Sequence, residues 1–178
     1  ANVVAACRDQ GAGLTYLSTD YVFDGQGARG GYDETDPRQP INHYGLTKAR
    51  GEEAVESIDG RWQIVRTSWL FGDGRVNFPK TIRRLLGQRE TLRVVADQRG
   101  CPTYAEDLAR VLSFLVTSGR SGIFHATNDG VCTWFDMARE VARYLKADPR
   151  RIVRCATSEY PTPAVRPPVS VLRSRHLE

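Results

Sequence analysis

No stretch of the 178 residues approaches the roughly 20 consecutive apolar residues that cross a bilayer as a helix, so no membrane span or membrane partner is expected. Cysteine is scarce: Cys7, Cys101, Cys132 and Cys155 form no C-x-x-C pair, and no histidine stands at zinc-ligand spacing from any of them. That excludes the usual structural zinc modules. A disulfide framework is also unneeded in a chain long enough to bury a core, so the thiols read as reduced and the location as cytoplasmic. A dense basic stripe is missing too. The formal charge is only +4, and the arginines are scattered along the chain, which argues against nucleic acid as a partner. The opening "ANVVAAC" has neither an initiator Met nor the basic start and long apolar core of a signal peptide, and it reads like the middle of a helix. The chain is therefore expected to be truncated.

What is present alternates. "LTYLS", "WQIVRTSWLFG", "LRVVAD" and "GIFHATN" read as short buried strands. "YGLTKARGEEAVES", "NFPKTIRRLLGQ", "YAEDLARVLSFLVTS" and "TWFDMAREVARYLKA" read as helices, the last with Thr133 as N-cap. Residues 24–42 are loop, "QRGCPT" is a turn, "RIVRCA" is a last strand, and "EYPTPAVRPPVSVL" is an extended Pro-rich tail. Strands alternating with helices predict an α/β fold with a parallel sheet. Ligands in such sheets lie beyond the carboxyl ends of the strands, where "STD" and "RTSW" fall.

Tyr44 and Lys48 stand four apart on a predicted helix and share a face. A phenol of pKa ~10 is a poor acid at neutral pH. A nearby ammonium lowers that value and lets the phenol protonate a carbonyl oxygen as hydride reaches its carbon. A hydroxyl at Ser18 or Thr19 completes the set a carbonyl reductase needs. A turn cap at Thr19–Asp20 and a solvated Tyr–Lys pair are the plain alternatives.

In this order, "STDYVFDG", "GYDETDPRQPINHYGLTKARGE", "IVRTSWLFG", "NFPKTI", "VVADQRGCPTYAEDLA" and "GIFHATN" resemble the dTDP-4-dehydrorhamnose reductases, extended short-chain dehydrogenase/reductases. The resemblance implies the C-terminal part of a Rossmann-like parallel sheet plus a small α/β substrate-binding domain. Residues 1–70 would carry the catalytic part and 71–178 mainly the sugar-nucleotide part, with 92–127 returning to the sheet. It implies NADPH or NADH as cofactor, a dTDP-sugar as substrate, and reduction of a C4 keto group. Tyr44 would be the proton donor. Lys48 would tune it and hold the nicotinamide ribose, with Ser18 also near the cofactor. Thr19 would position the substrate carbonyl, and Asp20, Trp69 and Arg166 would meet the sugar nucleotide. Gln98 and Thr103 either shape the nucleotide pocket or form a turn. Relatives can use Mg²⁺ at a subunit contact, for which Glu106 is the conceivable ligand, but no motif here supports a metal.

One departure is large. A dinucleotide fold opens with a glycine-rich turn after its first strand, and this sequence has none. "GQGARGG" follows "STDYVFD" and leads into no helix. The chain as given is thus expected to lack most of the cofactor cradle. It would also expose a raw sheet edge that favours self-association, hence a homodimer. A related epimerase or dehydratase with bound NAD, and a non-catalytic relative, are the competing readings.

Overall fold

The computed structural model describes residues 2–27, 30–74 and 76–177; Ala1, Ala28, Arg29, Arg75 and Glu178, the second and third of them in the expected 24–42 loop, lie outside the described residues. Helix α1 (Asn2–Asp9) leads into strand β1 (Leu14–Thr19), then helix α2 (His43–Glu56) and strand β2 (Trp62–Thr67). These strands are parallel, with Leu14 opposite Trp62 and Thr19 opposite Thr67. The short β3 (Leu70–Phe71) precedes α3 (Phe78–Leu86), β4 (Leu92–Val95), β5 (Arg99–Gly100), β6 (Thr103–Tyr104) and α4 (Ala105–Ser118). Strand β7 (Gly122–His125), β8 (Cys132–Thr133), α5 (Trp134–Tyr144), β9 (Ile152–Cys155) and β10 (Val169–Ser170) complete the chain.

Strands β1, β2 and β7 form one parallel sheet in that order, with β2 central. Its Ile64 and Val65 are wholly buried, as the apolar run predicts for a strand covered on both faces. Leu108 and Leu115 of α4 pack with Val65 and Phe124. A second core lies where α3 and α5 pack on the β4–β9 pair; it joins Ile82, Leu86, Leu92, Val94, Phe135, Ala138, Ala142 and Ile152. Within the stretch 92–127, β7 joins the β1–β2 sheet, whereas β4 pairs with β9 instead. Short strands β3 and β6 pair with each other, and β5 lies between β10 and β8 in a further small sheet. The tail is tied down: Val169 N–H donates to Gly25 O, and Tyr32 N–H to Val171 O at 2.8 Å.

The helices start where side chains can take their orphan N–H groups. Asn42 accepts from Gly45 N–H and Asn77 from Lys80 N–H, while Thr133 and Asp136 form a reciprocal capping box at α5. The predicted Thr133 cap is thus found. Among the described residues all four cysteines are free thiols, and no helix is long and apolar enough to cross a membrane.

Candidate active site at the carboxyl ends of the parallel strands

Strand β1 ends at Ser18–Thr19 and turns at once into a 3-10 helix, Asp20–Val22. Thr19 caps that turn: its hydroxyl accepts from Tyr21 N–H at 3.3 Å and donates to Asp20 Oδ1 at 2.9 Å. The turn-cap reading of "STD" is thus found at Thr19, at the strand end. Asp20 is buried, its Oδ2 has no partner among the described residues, and burial pushes its carboxyl up to about 6. Thr67, opposite Thr19 at the end of β2, has a buried Oγ1 that is also without a partner among the described residues. Two unsatisfied polar atoms at adjacent strand ends are unusual in a packed interior and favour a ligand-binding site.

Helix α2 brings Tyr44 and Lys48 to this edge. Gly45 makes the approach possible, because a Cβ there would sit 2.0 Å from the Tyr21 carbonyl oxygen. Tyr44 is 52% exposed and meets Tyr21 edge-to-face at 5.7 Å. Lys48 donates to Leu17 O at 2.7 Å and lies over the Tyr16 ring. Burial pulls the Lys48 ammonium below its ordinary value, against the opposing field of Glu52. The Ser18 hydroxyl donates to the buried Glu52 at 2.5 Å. The alternation of a strand sends successive side chains to opposite faces, so Ser18 and Thr19 cannot both face one ligand.

Trp69 follows β2 with a left-handed backbone, φ 47°, unusual for a bulky residue. Its ring is stacked on Trp134 at 3.6 Å and roofed by Gly100, where any Cβ would strike the indole at 2.5 Å. Trp134 continues the line: its indole N–H donates to Gln98, whose amide donates to Thr157. Trp134 and Gln98 line a cavity of about 360 Å³ together with Phe78, Arg89, Arg93 and Arg166. Arg93 pairs with Glu159, while Arg89 and Arg166 form no ion pair among the described residues. Gln98 thus borders the cavity. Thr103 instead is buried in the β3–β6 pairing beside Cys101 O. Glu106 is exposed and pairs with Arg110 at 3.8 Å, and no group of three acidic, His or Cys side chains among the described residues could hold a metal.

Residues 1–178 match the RmlD substrate binding domain. The chain belongs to that family. It is 45% identical over 173 residues to a dTDP-4-keto-6-deoxy-D-glucose reductase of Streptomyces niveus, covering 96% of this chain and 59% of that protein. A dTDP-4-dehydrorhamnose reductase of Mycolicibacterium smegmatis is 42% identical over 177 residues, covering 98% and 54% of the two chains. The crystal structure of a Bacillus anthracis dTDP-4-dehydrorhamnose reductase in complex with NADP superimposes with a TM-score of 0.92 at 40% identity, over 99% of this chain and 62% of that one. The chain therefore spans a little over half the length of these relatives.

Trp134, Thr67 and the buried Glu52 escaped the sequence reading. Trp134 opens an amphipathic helix and looks like core, and Thr67 looks like strand. Glu52 looks like one more helix carboxylate, although its spacing of four from Lys48 and eight from Tyr44 places it on their face.

Proposed function

We propose that the full-length protein reduces the C4 keto group of dTDP-4-dehydro-L-rhamnose with NADPH. The observation that carries this reading is the convergence of Tyr44 and Lys48 on α2 with the Thr19 strand end. The names of the relatives and the NADP held by the B. anthracis reductase support the substrate class and the choice of NADPH.

The residues present fit the nicotinamide end of the cofactor. Tyr44 is half-exposed and Lys48 lies one turn on, beside a β1 edge that pairs only with β2 among the described residues. These two side chains would hold the nicotinamide ribose. The pyrophosphate end needs a glycine-rich turn that the 178 residues do not carry. NADPH supplies the hydride when bound. Tyr44 then gives its phenolic proton to the substrate oxygen, and Lys48 favours the resulting phenolate. Thr19 and Asp20 stand at the carbonyl end of the sugar. Trp69 backs the sugar through its stack on Trp134, and Arg166 with Arg89 supplies cations for the diphosphate at the cavity rim. In this account residues 1–70 carry the catalytic half and 71–178 mainly the sugar-nucleotide half.

The test is stoichiometry. Full-length protein given NADPH and the dTDP-4-keto-6-deoxysugar should consume one NADPH per alcohol formed. A changed sugar with no net loss of NADPH would mean an epimerase and would overturn the proposal.

A further inference from the structure

Glu52 is a fully buried carboxylate that the proposed chemistry does not use. Donors from three parts of the chain converge on it: Ser18 from β1, Arg66 from β2 through Nε and a terminal nitrogen at 2.7 Å, and Arg38 from the loop before α2 at 2.6 Å. Arg38 also pairs with Glu56, and Arg66 lies 3.4 Å from the His125 ring nitrogen Nε2. His125 Nδ1–H donates to Arg173 O. The cluster is charge-balanced and closed.

We infer that Glu52 is a positioning residue for the proposed reaction: through Ser18 it sets the strand end that bears Thr19 against the helix that bears Tyr44 and Lys48. This rests on the function proposed above. Two rungs join α2 to the end of β1, Lys48 to Leu17 O and Glu52 to Ser18, and they grip adjacent residues of the strand. The next residue is Thr19. Because strand side chains alternate, clamping Ser18 on the α2 side holds Thr19 to the opposite face, where its buried hydroxyl meets Asp20. Stability alone gives little reason for such a hub, since a buried ion cluster is often no more stable than apolar packing of the same volume. What an apolar filling cannot supply is directional bonds that fix one register between helix and strand.

The test uses the full-length protein, with Ser18→Ala to cut the strut alone, Ser18→Thr to keep a hydroxyl, and Glu52→Gln to remove the charge. Ser18→Ala should lower kcat roughly 3- to 10-fold, as a small misplacement of a reacting group does. The KM for the sugar nucleotide and the Kd for NADPH should stay close to the unaltered values, while the Tm falls modestly because the buried carboxylate keeps its two arginine donors but loses one hydroxyl. Ser18→Thr should recover most of the loss, and Glu52→Gln should lower kcat further. An unchanged kcat in Ser18→Ala overturns the inference, and so does a loss that falls on KM and Kd as much as on kcat. If Glu52→Gln does not fold, the Ser18 pair decides alone. No turnover by the unaltered protein removes the proposed function and this inference together, whereas full turnover by Ser18→Ala removes only the inference.

Discussion

Lys48 donates to the carbonyl oxygen of Leu17 at 2.7 Å, two residues before Thr19, so the lysine of the helix is pinned to the strand that carries the hydroxyl. With the Glu52–Ser18 bond, this contact joins the two halves of the predicted Ser/Thr–Tyr–Lys set. It also spends one of three ammonium protons and leaves the others directed away from the carbonyl.

Replacing Lys48 by Ala should therefore act on cofactor and chemistry together. NADPH fluorescence titration of the full-length variant should show weakened binding. Its kcat should fall on the order of 10²- to 10⁴-fold, the range for loss of acid–base assistance. Binding and turnover that both match the unaltered protein would remove Lys48 from the site.

The Trp69–Trp134 stack links the strand end to the arginine-rimmed cavity. A stacked pair contributes about 0.5–1.5 kcal/mol beyond its buried area. Trp134→Ala should raise the KM for the dTDP-sugar by roughly 2- to 10-fold while leaving the Kd for NADPH unchanged. Trp134→Phe, which keeps a ring, should lie between. The opposite pattern, with NADPH binding lost and KM intact, would place the cavity on the cofactor side.

Two buried groups oppose each other in pH dependence. Burial raises the Asp20 carboxyl from 3.8 to about 6, so its contribution to stability is present below pH 3.8 and is lost as pH rises through 6. Burial, helped by Arg66, lowers His125 from 6.5 to about 4, so its contribution is present above pH 6.5 and is lost as pH falls through 4. The windows overlap and the signs differ, so each masks the other. Asp20→Asn should unmask His125, with Tm climbing more steeply between pH 4 and 6.5 than in the unaltered protein. His125→Gln should do the reverse. Parallel curves for all three proteins would contradict the burial argument.

The sequence carried the local structure well because the signals were local. Asn42, Asn77 and Thr133 cap the helices they precede, and the apolar runs became buried parallel strands. Pairing between distant strands was less legible. Nothing local distinguishes "LRVVAD", which lies beside β9, from "GIFHATN", which joins the main sheet. In the candidate site, Tyr44, Lys48 and Thr19 stood out because their spacing and strand-end position have a chemical meaning. The Ser18–Glu52 contact was not legible, because the pleat sends adjacent hydroxyls to opposite faces and the partner of Ser18 lies 34 residues away. Trp134 was hidden for a similar reason: its importance comes from stacking on Trp69, a contact made across the fold.

The central claim is that Tyr44 delivers the proton in keto-sugar reduction. The most direct measurement compares NADPH oxidation by the full-length protein and its Tyr44→Phe variant at saturating dTDP-4-keto-6-deoxysugar, with dTDP binding measured in parallel. The account predicts that the variant binds dTDP as tightly as the unaltered protein but turns over roughly 10²- to 10⁴-fold more slowly. A Tyr44→Phe variant that oxidises NADPH at the unaltered rate would contradict it.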